Sequence, residues 1–98
     1  MRQRMLIEKI KQAIQEWAAQ YPQVELSLVK VAPSGIADNI HVIVVAGKGF
    51  EEWEETERED NLYWFLRKKL GDEDIVKIPL LSTMTEERYD RYEWTEAA

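Results

Sequence analysis

The chain is 98 residues long, 45% apolar and 33% charged, with one histidine and no cysteine. That composition describes a single soluble domain over residues 1–98, and it excludes disulfides, thiolate metal sites and thiol nucleophiles. Nineteen acidic side chains against 13 basic ones leave a net charge of −6, which disfavours nucleic-acid phosphate as a partner.

Residues 3–20 place Leu6, Ile10, Ala13, Ile14 and Trp17 at steps of three and four, so the spacing predicts an amphipathic helix. Tyr21-Pro22 ends it, because the residue before a proline is pushed out of the helical region. Met1-Arg2-Gln3-Arg4 is followed by apolar positions interrupted by Glu8, Lys9, Lys11 and Gln12. A signal peptide needs a continuous apolar core there. The longest apolar run also falls far short of the roughly 20 residues that span a bilayer, so the chain reads as cytoplasmic, with no membrane partner.

Val24 to Leu28 alternates with period two and Val29-Lys30-Val31 continues with shifted parity, which predicts a strand with a bulge near residue 29. Pro33-Ser34-Gly35 is turn chemistry. Ile40 to Ala46 is apolar on both faces and rich in β-branched residues, as a central strand should be, and Gly47-Lys48-Gly49 closes it.

Residues 51–70 read as one helix, or as two short ones with a corner near Glu59. Leu62, Leu66 and Leu70 form its apolar stripe, widened by Tyr63 and Phe65. Arg67-Lys68-Lys69 suits the negative end of the dipole, and Gly71 is a stop. Residues 75–81 read as a third strand in which Pro79 marks an edge or a strand end. Thr85 followed by Glu86 and Glu87 reads as the N-cap of a short last helix with Tyr89 and Tyr92 on one face.

The order is therefore α-β-β-α(α)-β-(α). A tight loop makes the first two strands antiparallel, and a helical crossover brings the third back parallel to the second. The expected fold class is α+β, a three-stranded mixed sheet with helices covering one face.

That order and several spacings resemble the BolA family, whose fold is shared with type II KH domains. The family's second strand and following helix read H-F-x-V-x-[IV]-V-S-x-x-F-x-G-x-S-x-x-x-R-H-R-x-[VI]-Y. Here His41-Val42-Ile43-Val44-Val45 precedes Phe50, Arg58 follows Phe50 by eight residues, and Tyr63 stands at the family's tyrosine. Thr85-Glu86-Glu87-Arg88-Tyr89 resembles the family's T-P-x-x-W. The departures bear on function. The family's glycine is Glu52, and its Arg-His-Arg is Arg58-Glu59-Asp60. The histidine with which family members bind an iron–sulfur cluster falls on Lys77, and a protonated lysine has no lone pair for iron. Residues 32–39, which would supply the second ligand, hold neither histidine nor cysteine. The resemblance therefore implies the fold without its cofactor.

The functional signal is electrostatic. Residues 50–60 carry seven carboxylates against Arg58, a balance that accounts for the whole net charge. Such a run is either a solvated helix face or a docking surface for a basic partner. Trp53 within it is either an exposed anchor or a core residue at a helix start. The candidate contact residues are Glu51, Glu52, Trp53, Glu54, Glu55 and Arg58, with Tyr89, Tyr92 and Trp94 of the aromatic C-terminus. An exposed sheet edge also offers a route to a homodimer. No metal or catalytic residues are assigned. His41 is read as structural, the acidic run lacks a calcium loop's spacing, and no serine stands in a nucleophile context.

These readings point to a non-catalytic protein-interaction or regulatory module without a cofactor. The alternative is a nucleic-acid-binding regulator of KH type. A third reading, a glutaredoxin-linked iron–sulfur protein, lacks its ligands.

Overall fold

A computed structural model describes residues 2–97, with side chains described from residue 3 to residue 92. The elements run α1 (Arg2–Ala18), β1 (Glu25–Pro33), β2 (Ile40–Lys48), a 3-10 turn (Phe50–Glu52), α2 (Glu55–Leu70), α3 (Asp72–Ile75), β3 (Leu80–Thr85) and α4 (Glu86–Ala97). The sheet order is β1-β2-β3, with β1 antiparallel and β3 parallel to β2. The architecture is α+β with a three-stranded mixed sheet, as the sequence predicts.

β2 is the central strand because it can be buried on both sides. Val42, Val44 and Ala46 point to one face, where they meet Leu6, Ile10, Ile14 and Trp17 of α1 and Leu62, Leu66 and Leu70 of α2. Ile10, Ile14, Trp17, Leu62 and Leu66 are fully buried. Each such aliphatic side chain contributes about 1.5–3 kcal/mol of burial, so this layer dominates the fold's stability.

Four details differ from the sequence reading. The sheet's second face is not bare: Ile43, Val45 and Met84 form a second cluster, onto which Tyr89 and Tyr92 of α4 and Leu28 of β1 pack. The helices therefore cover both faces, because α4 turns back over the sheet after β3. The third strand starts at Leu80, not at residue 75. Asp72–Ile75 instead forms the short α3, which plugs Ile75 into the main core, and Pro79 stands just before the strand. The β1 irregularity lies around Ser27, two residues before the expected position, with register shifts on either side of Leu26. The break in the acidic segment falls at Trp53-Glu54, between the 3-10 turn and α2, and α2 runs through Glu59 unbroken.

Two caps match their residue types. The Thr85 hydroxyl accepts from the backbone N–H of Arg88 at 3.3 Å, as an N-cap does. Gly71, with φ of 91°, ends α2 and donates its N–H to the carbonyl of Arg67. No helix among the described residues is long and apolar enough to cross a membrane.

Candidate interaction surface

The acidic run folds around a buried cation. Arg58, on the inner side of α2, is 5% exposed. Its Nη1 donates to the carbonyl oxygens of Phe50 at 2.8 Å and Trp53 at 2.5 Å. Its Nε and Nη2 donate to Thr83 Oγ1 at 2.9 Å and to the Thr83 carbonyl at 3.0 Å. The guanidinium also lies 4.9 Å from the centre of the Phe50 ring. Burial pushes this guanidinium below its ordinary pKa and the neighbouring Glu59 charge pulls it back up. Glu59 in turn accepts from the Thr83 N–H at 2.9 Å. The N–H and C=O of Thr83 thus point away from β2 and are satisfied by Glu59 and Arg58, much as a further strand would satisfy them.

The geometry removes Arg58 from the partner-contact set, because it is buried and spends four hydrogen bonds on acceptors of its own chain. Trp53 is half-buried rather than an exposed anchor. Its ring stacks on Trp17 (5.9 Å between centroids, 10° between planes) and contacts Tyr21 at 4.9 Å. Glu55 is ion-paired with Arg88, which ties α2 to α4. Tyr89 and Tyr92 stack at 6.2 Å while covering the second cluster. They too are turned to the protein's own sheet. The Trp94 side chain lies outside the described residues.

Glu51, Glu52 and Glu54 remain on the outside, along an acidic shoulder between β2 and α2. Its backbone is held at three points. Gly49 adopts φ of 101°, and a Cβ there would stand 2.6 Å from the Gln23 carbonyl oxygen, so the close approach of the two loops requires glycine. Glu51 accepts from the Gly49 N–H at 3.1 Å. Its own backbone N–H, and then that bond from Gly49, hold the Glu51 carboxyl below the usual glutamate range. Arg58 fixes the carbonyls on both sides of Glu51 and Glu52. The three carboxylates are presented on a constrained loop, not a floppy one.

The outer face of α2 carries a feature the sequence reading missed. Trp64 is 55% exposed and Tyr63 36% exposed, in edge contact at 5.7 Å. Tyr63 does not widen the apolar stripe; Phe65 does. The basic segment that follows is largely engaged: Arg67 binds Asp72 at 2.7 Å, which raises its pKa, and Lys69 binds Glu16 at 2.9 Å.

At the opposite end of the molecule, a cleft of about 410 Å³ opens between the start of α1, the β1–β2 loop and the segment before β3. Lys77 sits on its wall, 3.3 Å from Asp38 and 3.8 Å from Asp74. The two positions at which the family resemblance would put cluster ligands, Lys77 and residues 32–39, are thus adjacent in space. They meet as an ammonium beside the carboxylates of Asp38 and the neighbouring Asp74, with no thiolate or imidazole donor, and this set does not fit an iron–sulfur cluster. Among the described residues, no three histidine, cysteine or acidic side chains are grouped so as to hold a metal. His41 is half-buried in β2, between Ala32 and Leu80 on the neighbouring strands.

Compared with protein-family models, curated proteins and solved structures, the chain matches none.

Proposed function

We propose that the protein is a non-catalytic, cytoplasmic interaction module of BolA-like, type II KH-like architecture that docks a basic protein segment on its acidic shoulder. The α-β-β-α-α-β-α order with a parallel β2–β3 pair supports the architectural part of this reading. The observation that carries the functional part is the Arg58 clamp. A buried cation that ties the carbonyls of Phe50 and Trp53 to Thr83 of β3 holds the backbone from which Glu51, Glu52 and Glu54 project outward. Preorganised charge costs less ordering on binding than a mobile acidic tail would.

A nucleic-acid-binding role is less well supported. Of the three consecutive cations at the end of α2, Arg67 and Lys69 already serve carboxylates of this chain, leaving Lys68 without a partner among the described residues. Phosphate binding rests on several such cations acting together.

The test is affinity capture from the native host with the wild type and an E51Q/E52Q/E54Q variant. Partners that depend on salt and disappear with the variant are expected. Identical partner sets would remove the shoulder from the mechanism. Tight gel shifts with nucleic-acid probes at physiological salt would replace this reading with the KH-type one.

A further inference from the structure

We propose that the outer face of α2 is a self-complementary surface on which a second copy of this chain docks antiparallel, about a twofold axis through the Tyr63–Trp64 pair. The core side of α2 is centred on Leu62. At 100° per residue, Glu57, Asp60, Trp64 and Arg67 all lie within about 40° of the opposite direction, in steps of three, four and three. That is the spacing of a helix-pairing seam, yet it faces solvent.

The charges along this seam are ordered. Glu57 and Asp60 precede the aromatic pair and have no ion-pair partner among the described residues. Arg67 and Lys68 follow it, with the Arg67 guanidinium 4.9 Å from the centre of the Trp64 ring. Arg67 gives its Nε to Asp72 at 2.7 Å, so only its Nη groups, which have no hydrogen bond among the described residues, are left to meet a second carboxylate. Asp60 and Arg67 each lie about 5 Å along the axis from the midpoint of Tyr63 and Trp64, on opposite sides. An antiparallel copy therefore sets each Asp60 against the other copy's Arg67, while Glu57 adds a second carboxylate one turn out and Lys68 a second cation next to Arg67. The exposed rings of the two copies meet at the centre. A parallel copy would instead oppose like charges, so the charge order selects the antiparallel arrangement, an isologous dimer about a perpendicular twofold. This surface is distinct from Glu51, Glu52 and Glu54, and the inference does not depend on their docking a basic segment.

The test is sedimentation equilibrium of the full chain over a range of concentrations, with D60R, R67D and W64A variants, each checked for folding by circular dichroism. The wild type should dimerise reversibly, and each single variant should weaken the dimer at least tenfold. D60R mixed with R67D should restore association, because the two cations of one chain then face the two carboxylates of the other; the D60R/R67D double variant should recover for the same reason. A wild type that stays monomeric at about 1 mM would overturn the proposal. So would a dimer that D60R and W64A leave unchanged, or folded single variants whose mixture fails to associate.

Discussion

Replacing Arg58 with alanine should cost about 4 kcal/mol, within the 3–5 kcal/mol typical of breaking a buried charged network. The magnitude follows from what is left behind. Four hydrogen bonds are lost, to Phe50 O, Trp53 O, Thr83 O and Thr83 Oγ1. Phe50 O keeps the Trp53 N–H and Thr83 Oγ1 keeps Glu59, so the cost concentrates on the Trp53 and Thr83 carbonyls. Two such buried acceptors at about 1–3 kcal/mol each give the same figure. A 98-residue domain has only about 5–15 kcal/mol in total, so the loss should be visible as a fall in the urea midpoint of about 2–3 M for a slope near 1.5 kcal/mol/M. Arg58→Lys should recover less than half of it, since one ammonium cannot span from the 3-10 turn to β3 as the guanidinium fork does. If Arg58→Ala lost under about 1 kcal/mol, or Arg58→Lys behaved as wild type, the clamp would be no more than a surface contact and the preordered shoulder would lose its cause.

Gly49→Ala should destabilise by about 3 kcal/mol, from left-handed strain plus overlap with the Gln23 and Val24 backbone. Gly47→Ala should be nearly neutral, because its new methyl meets only the movable Glu86 carboxylate; equal costs in thermal melts would refute that distinction. Asn61→Ala should cost about 1–2 kcal/mol, because Asn61 Oδ1 accepts from both Trp17 Nε1 at 2.9 Å and Tyr21 OH at 3.0 Å, and the Trp17 indole N–H resonance should shift with it. Glu51 has a depressed folded-state pKa, so its contribution is present above the ordinary glutamate range and fades as pH falls through its own lower value. Carboxyl NMR should find Glu51 titrating below the other glutamates, and Glu51→Gln should flatten that part of the acid limb.

What could be read from the sequence depended on how local the cause was. The α1 stripe and the β-branched run of β2 are periodic signals within one element, and both stand where the periodicity puts them. The third strand was displaced because Ile75 and Ile78 are apolar enough to imitate a strand, whereas Leu80–Thr85 carries Ser82, Thr83 and Thr85. Thr83 can be buried there only because Arg58 and Glu59, about 25 positions earlier, supply its partners. The spacing of Phe50 and Arg58 was visible, but a burial driven by backbone carbonyls leaves no pattern in composition. Trp64 shows a different limit. It lies two residues after Leu62, about 200° around the helix, so its exposure followed from the stripe, yet it passed unnoticed beside the louder acidic run.

The sheet edges decide which surfaces are left for partners. At Thr83, β3 presents its outward N–H and C=O to Glu59 and Arg58 rather than to a visiting strand. The β1 edge is interrupted by the register shifts around Ser27, carries exposed Lys30 in mid-strand and ends at Pro33. Bulges, lysine and proline are the usual means of discouraging edge-to-edge pairing. Both edges are thus poor templates for strand addition, the route to a homodimer that the sequence suggested. Under the two proposals above, recognition is left to side chains projecting from helix-borne surfaces, the acidic shoulder and the outer face of α2. Arg58, which with Glu59 satisfies the β3 edge at Thr83, also anchors the shoulder through the carbonyls of Phe50 and Trp53, so one buried cation serves both the strand edge and the acidic loop.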